Sequence, residues 1–502
     1  MGPRPSAMFT FLAVFLGAAG IALAQAPTSV SLNPTTVQGD NGSAAQVTLG
    51  GPAPAGGLVV DLSSSNTAVA TVPAAAVVPG GATAVDFPVT TRSVAQSTTV
   101  TITARAGGVS KTAQLTVAPP SLTSLTLTPA FVYGGAGGSA DAQVRLSGRA
   151  PSEGLPVPIS SSNPAVTHVK TGFFVYPGHG VGSLSVATSA VAQSTPVTIT
   201  ATDGVVTKTA VLAVLPAVPG WFDPNYPVLP FIGGQSRTRK LSLKGSAPPG
   251  GLLVSLSSSN TAAARVPANV TAPADATTVD IVVTAIPVAQ TTTATITASA
   301  GGVSVTDDVR VNPPELSSVS FTPIAVVGGA GRTGQVSLNG PAPSGGLPVR
   351  LSAPAAVTVP ASVTVPAEAT TKVFEVTTIA VPSPVIVPIT ATAGSGTKAG
   401  SLTILPPAPT SLTLTPSSVH RGNGSTGQVT LNGPAPASGL EVQLSVSSPG
   451  VAGVPAAVIV PAGATTKTFP IQTNVLLPQS TTVTITASAG GVNVPAQLTV
   501  HP

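Results

Sequence analysis

The stretch Thr99-Val100-Thr101-Ile102-Thr103-Ala104-Arg105-Ala106-Gly107-Gly108-Val109 returns four more times, around Ile199, Ile296, Ile389 and Ile485. The intervals between these isoleucines are 97, 97, 93 and 96 residues. In the first copy Val100, Ile102 and Ala104 alternate with Thr99, Thr101 and Thr103. Such period-2 alternation of β-branched residues describes a half-buried β-strand. After each copy the chain turns at or near a glycine and enters a second alternating run, Ala113-Gln114-Leu115-Thr116-Val117 in the first case. A hairpin recurring at a fixed period makes the chain a tandem array of small all-β domains.

Gly and Pro are abundant (52 and 53 residues) and only 7% of residues are charged, a balance that could describe a disordered chain. Against disorder, 42% of residues are hydrophobic and they fall in regular alternation, so each unit of about 95 residues can bury a core of its own. The first unit should bury Leu32, Val47, Leu49, Val60, Leu62, Val69, Phe87, Val100, Ile102, Leu115 and Val117. The Phe87 strand is matched by strands at Leu184, Ile281, Phe374 and Phe469.

The N-terminus reads as a targeting segment. Arg4 supplies the positive charge, Met8 to Ala19 the apolar run, and Ala22-Leu23-Ala24 a small-residue cleavage site, so residues 1–24 are read as a signal peptide cleaved between Ala24 and Gln25. An uncleaved anchor is the other reading of the same run. The protein is then exported, extracellular or associated with the cell surface. No later stretch is long and apolar enough to span a bilayer, so no membrane span is expected in the mature chain. The absence of cysteine leaves every domain to hold by packing alone.

Five units follow, at 27–118, 121–215, 221–312, 316–405 and 410–500, separated by proline-bearing joints such as Pro119-Pro120, Pro216 to Gly220, Pro313-Pro314 and Pro406-Pro407. About seven short strands per unit, turn signals every 8 to 14 residues and no helical periodicity predict an immunoglobulin-like β-sandwich without the Cys and Trp pattern of antibody domains. Pro388 conflicts with this locally. It stands where Thr101 stands in the first unit, so the strand there should start late or pair out of register.

The recurring words Leu62-Ser63-Ser64-Ser65-Asn66, then Val72-Pro73-Ala74, then Thr99 to Val109 resemble bacterial immunoglobulin-like (Big-type) repeats. The resemblance covers nearly all of the mature chain. It implies an exported protein of the kind found in bacterial surface proteins, in adhesins of the invasin and intimin kind, or beside secreted hydrolases, with such domains serving mostly as spacers.

Residues that could carry chemistry are sparse. The four histidines, His168, His179, His420 and His501, form no zinc-binding spacing, though His168 and His179 could approach across a hairpin. Asp307-Asp308 is the one adjacent carboxylate pair, and on a strand the two would face opposite ways. No Asp-x-Asp-x-Asp loop offers a calcium site, and no acid–base pair or Asp/His pair stands behind a serine. The expectation is therefore no enzyme, no catalytic residue, no metal and no cofactor. Twenty basic against fifteen acidic residues are spread thinly, and the densest basic run, Arg237-Thr238-Arg239-Lys240, falls on a predicted strand. Nucleic-acid binding is not expected.

The most individual stretch is Trp221-Phe222-Asp223-Pro224-Asn225-Tyr226-Pro227, which holds the sole tryptophan. Trp221, Phe222 and Tyr226 are read either as an exposed aromatic platform for a sugar ring or partner, or as a plug between units or a substitute first strand. A second aromatic run, Phe173-Phe174-Val175-Tyr176, is expected in strand and core. With semi-rigid proline-rich joints the array should form a rod, about 35–40 Å per domain and on the order of 180 Å in all. The function expected is a non-catalytic exported stalk or scaffold, with adhesion as an open option and a cell-surface or extracellular polymer or protein as partner. The alternatives are a soluble glycan- or polymer-binding protein using Trp221, or an accessory module of a secreted hydrolase.

Overall fold

The structure, a computed structural model, describes residues 25–224, 229–476 and 478–502. The leader read at 1–24 and the candidate Tyr226 lie outside these residues. Every regular element described is a strand. The first unit contains β1 (Pro27–Asn33), β2 (Thr36–Gln38), β3 (Ser43–Leu49), β4 (Leu58–Ser64), β5 (Ala70–Thr71), β6 (Ala75–Val78), β7 (Ala84–Thr91), β8 (Thr98–Ala106) and β9 (Val109–Ala118). One sheet has the order β1-β3-β7-β5 and the other β2-β9-β8-β4-β6. The first edge of the chain is thus shared between the sheets, β1 antiparallel to β3 and β2 parallel to β9. This is the immunoglobulin-type arrangement. The short strands β2, β5 and β6 raise the count above the seven expected.

The same two-sheet order recurs at 218–312, 316–405 and 409–501. The second unit departs from it. Pro158 interrupts the segment matching β4, and the edge pair Leu155–Pro156 with Phe174–Val175 stands apart as a two-stranded sheet. Proline cannot donate to the ladder, which accounts for the break. In the third unit the first strand opens at Val218, so Val218 and Pro219, which read as joint in the sequence, pair with Lys244 and Leu243.

Ten of the eleven core residues expected in the first unit are buried. Val69 instead packs at the edge, and its neighbour Ala70 is the one fully enclosed. Opposite the large residue of the β7 strand stands a small one: Ala45 faces Phe87, Ala142 faces Leu184, Gly334 faces Phe374 and Gly427 faces Phe469. At Gly334 an added Cβ would come within 2.5 Å of the Phe374 ring, so mid-strand glycine here makes room for the aromatic.

The third unit breaks this rule with Arg239 opposite Ile281. Arg239 crosses the core to Asp307 on the facing sheet, with Nε donating to Oδ2 at 2.6 Å and Nη2 to Oδ1 at 2.9 Å. The two side chains are only 7% and 14% exposed. Asp308 faces the other way and accepts from Thr295 Oγ1 at 2.7 Å, as strand alternation requires.

Pro388 neither delays nor shifts its strand, which runs from Val385 to Ala393 and pairs in register with Gly396–Leu405. The reason lies in the other units. There the backbone N–H at this position turns from the hairpin toward a serine hydroxyl: Thr101 N to Ser65 Oγ at 2.8 Å, Thr198 to Ser162 at 2.9 Å, Thr295 to Ser259 at 2.9 Å and Thr484 to Ser447 at 3.0 Å. In the fourth unit the chain after Ser352 reads Ala353-Pro354, which offers no hydroxyl. Donor and acceptor are lost together, so Pro388 leaves no polar group stranded.

Candidate binding site and the joints between units

Each first strand carries a bulge: at Thr28, Thr123, Gly220, Ser317 and Thr410 the register slips by one residue. The residue just past it pairs with the outward-facing position of the next strand. In four units that residue is Ser29, Ser124, Ser318 or Ser411; in the third it is Trp221, opposite Ser242. Trp221 is 55% exposed, so it is no plug, while Phe222 turns inward against the core. The stretch does supply the first strand. Of the aromatic residues grouped in the sequence, Trp221 is placed on the surface and Phe222 on the core, and Tyr226 lies outside the described residues.

The sheet face around the indole is polar. Ser242 and Thr278 are cross-strand partners, and Lys240 bonds Asp280 at 2.9 Å. Lys240 replaces Gln46, Gln143, Gln335 and Gln428, which occupy the same register in the other units. The stem of Lys244 lies over Gly220, its Cγ 3.5 Å from where a Cβ there would sit. A flat apolar ring bordered by hydroxyls and ammonium groups can stack on one face of a ligand and hydrogen-bond its rim.

A second aromatic surface stands where the sequence pattern predicts core. In the second unit Val175 is buried and Phe173 packs partly on the core, but Phe174 and Tyr176 are exposed and their rings lie 4.7 Å apart, tilted. The period-2 alternation of a strand places Val175 inside and its neighbours outside.

The two histidines of the second unit find local partners. His168 bonds Ser189 Oγ at 2.8 Å and His179 Nδ1 bonds the Pro177 carbonyl at 2.9 Å, so each ring of this sequence pair turns to its own neighbour. Asp203, at a hairpin turn, is pushed up by burial, but backbone N–H groups of Val206, Leu122 and Val205 outweigh this and hold its carboxyl below the ordinary value. Among the described residues no three His, Cys, Asp or Glu side chains gather as a metal site. No described helix is long and apolar enough to cross a membrane. An open depression on the fourth unit is lined by Thr322, Arg332, Thr333 and Glu375.

The units meet through one pair of loops used four times. Each unit presents the turn after its β2 equivalent, and the next unit presents the loop after its β3 equivalent. At the first joint a Cβ at Gly148 would meet the Gly39 carbonyl at 3.2 Å, and flanking residues add two bonds, Gln38 Nε2 donating to Ser121 Oγ at 3.2 Å and Ser93 Oγ to the Arg149 carbonyl at 2.5 Å. At the second, Ser246 N donates to the Gly134 carbonyl at 2.9 Å, and Ala136 N to Ser246 Oγ at 2.9 Å. Ser246 is buried there. The third and fourth are contacts of glycine with proline and aliphatic groups, Gly234 with Pro341, Gly340 with Ile232, Gly329 with Pro434 and Gly433 with Val327. Side chains at several of these glycines would collide with the neighbouring unit, which is why the residue type recurs.

No family model matches the chain, and no curated protein matches it. Solved structures similar to it include the D0-D1 domain of intimin, at 10% identity over 38% of this chain and 99% of that one with a TM-score of 0.17. The titin I-band fragment I67-I69 is 13% identical over 56% and 98%, TM-score 0.22. The ICAM-5 D1-D4 ectodomain fragment is 14% identical over 75% and 99%, TM-score 0.25. The class of the protein follows from its own sheets: it is a tandem array of five immunoglobulin-like β-sandwich domains.

Proposed function

We propose that the chain is an exported, non-catalytic spacer of the bacterial immunoglobulin-like repeat kind, holding a partner at a distance from a cell surface. The carrying observation is the joint. Four successive junctions reuse the same two loops, and at each of them groups from both units are in contact. Flexible tethering needs no such contacts, whereas a spacer of defined reach does. Small-angle scattering of the mature chain tests this. A compact globule of this length has a radius of gyration of about 23 Å. The spacer requires about 50 Å, the value for a rod of five domains each about 35–40 Å long. A value near the compact one sinks the proposal. Fractionation of native cells with surface proteolysis tests the location.

Trp221 supports a second reading, polymer or glycan binding by the outer face of the third unit. An indole stands where four sister units place serine, and burying it is not what the fold uses it for. Trp221→Ser restores the residue of the sister units and should abolish retention on an immobilised extracellular polysaccharide without altering thermal stability. Retention equal to that of the parent chain ends this reading.

A further inference from the structure

The last turn of the array carries a feature that neither reading above uses. In every unit the last residue of the β2 equivalent pairs, in parallel, with a residue of the last strand. The pairs are Gln38 with Ala118, Tyr133 with Leu215, Ile232 with Asn312 and Val327 with Leu405. In the fifth unit the pair is His420 with His501. Two of the chain's four histidines therefore sit side by side, at a position where Gln38 and Tyr133 touch the following unit. Side chains of directly paired residues project from the same face, so the two imidazoles share one patch of surface. Their ring centres are 5.8 Å apart at an interplanar angle of 51°.

Both rings are held by outer partners. His420 Nδ1 bonds the main-chain oxygen of Pro502 at 3.1 Å. That oxygen only accepts, so the proton is on Nδ1 and the lone pair of the neutral ring is on Nε2. His501 has a serine on each nitrogen, Ser480 Oγ on Nδ1 at 3.0 Å and Ser418 Oγ on Nε2 at 2.9 Å. Hydroxyls donate or accept by rotation, so His501 can present a lone pair from either nitrogen. Orientation of a ligating imidazole through its second nitrogen is the usual support of a metal site. Ligation at His501 displaces one of these serines, while the other keeps the ring in place.

We propose that His420 and His501 form a two-imidazole site for a divalent transition metal, of the copper, nickel or zinc class that imidazole favours. Metal–nitrogen distances of about 2.0–2.1 Å bring the two ring nitrogens together around one ion by side-chain rotation alone, with water filling the remaining positions. Bound there, the ion ties the short strand Ser418–His420 to the final strand Val492–His501, beyond the parallel ladder that already joins them. The fifth unit gains stability as the logarithm of one plus the ratio of free metal to its dissociation constant.

The test is calorimetric titration of the tag-free mature chain with Cu²⁺ and with Zn²⁺, together with thermal unfolding at saturating metal. The expected result is one saturable site per chain, weakened at least tenfold by His420→Asn and by His501→Asn alike. His168→Asn and His179→Asn should leave it unchanged. The parent chain should show a metal-dependent rise in the melting of the fifth unit that both affected variants lose. Asparagine keeps the polarity of the position, and unchanged melting without metal verifies that the variants fold. Absence of saturable binding below millimolar ion overturns the proposal. So does binding that survives in both His420→Asn and His501→Asn.

Discussion

Arg239 and Asp307 face each other across the core of the third unit and close a two-point ion pair at 2.6 and 2.9 Å, where every other unit places two small residues. The counterparts are Ala45 with Ala113, Ala142 with Ala210, Gly334 with Gly400 and Gly427 with Ala496, read from the strand registers. A buried guanidinium is tolerable only while its carboxylate is present. Asp307→Ala should therefore destabilise the third unit by about 3–5 kcal/mol. The triple change Arg239→Ala, Asp307→Ala and Ile281→Phe reproduces the packing of the first unit and should recover most of that loss. The sole tryptophan lies in this unit, so Trp221 fluorescence during urea unfolding reads it selectively.

Ser65 and Thr101 share one bond between a hydroxyl and a backbone N–H. Ser65→Ala and Thr101→Pro each remove it, so their costs should not add. The double variant should fall short of the sum by about 0.5–1.5 kcal/mol, the worth of a typical hydrogen bond. Hydrogen exchange of the first unit's amides measures each cost, and strict additivity would show that the bond contributes nothing.

At the second joint Ser246 supplies both a donor and an acceptor to the preceding unit. Ser246→Ala keeps the backbone bond to Gly134 and loses the side-chain bond from Ala136. The distribution of distances between spin labels on the second and third units should broaden, with the melting of either unit unchanged. A distribution as narrow as the parent's would show that the hydroxyl does not orient the joint.

Asp203 accepts from Val205 at 2.9 Å, Val206 at 2.7 Å and Leu122 at 2.7 Å, tying a hairpin turn to the start of the unit's first strand. Because its folded carboxyl titrates below the ordinary value of 3.8, the stability it adds is present above that value and is lost as the pH falls through it and below. Asp203→Asn should lower the stability of the second unit at pH 7 and make its stability curve flatter in acid. The two curves should converge at the lowest pH, and parallel curves throughout would exclude a contribution from this carboxylate.

The fold was legible because its signal is local. Alternation in Thr99 to Ala106 and Ala113 to Val117 fixes which face is buried, and five repetitions average out exceptions such as Val69. What escaped the sequence depends on partners far along the chain. Pro388 looked disruptive until Ala353 and Pro354 were seen to have lost the matching hydroxyl. Phe222 and Trp221 looked like one cluster until strand parity sent one inward and the other out. His420 and His501 are 81 residues apart and meet only through the parallel pairing of a three-residue strand, whereas His168 and His179, close in sequence, each turn elsewhere. The position of Trp221 as the counterpart of four serines could have been found by aligning the units with the bulge in place.

The four joints have a consequence for how direction is passed along the molecule. One pair of loops sets the angle between a unit and its successor, and the same pair sets the next angle. Orientation is thus inherited step by step, with no described element spanning two junctions to correct it. Altering a single glycine–proline contact, that of Gly329 with Pro434 for example, should redirect everything that follows. The course of the chain across each junction is thus set by a few residues in two short loops.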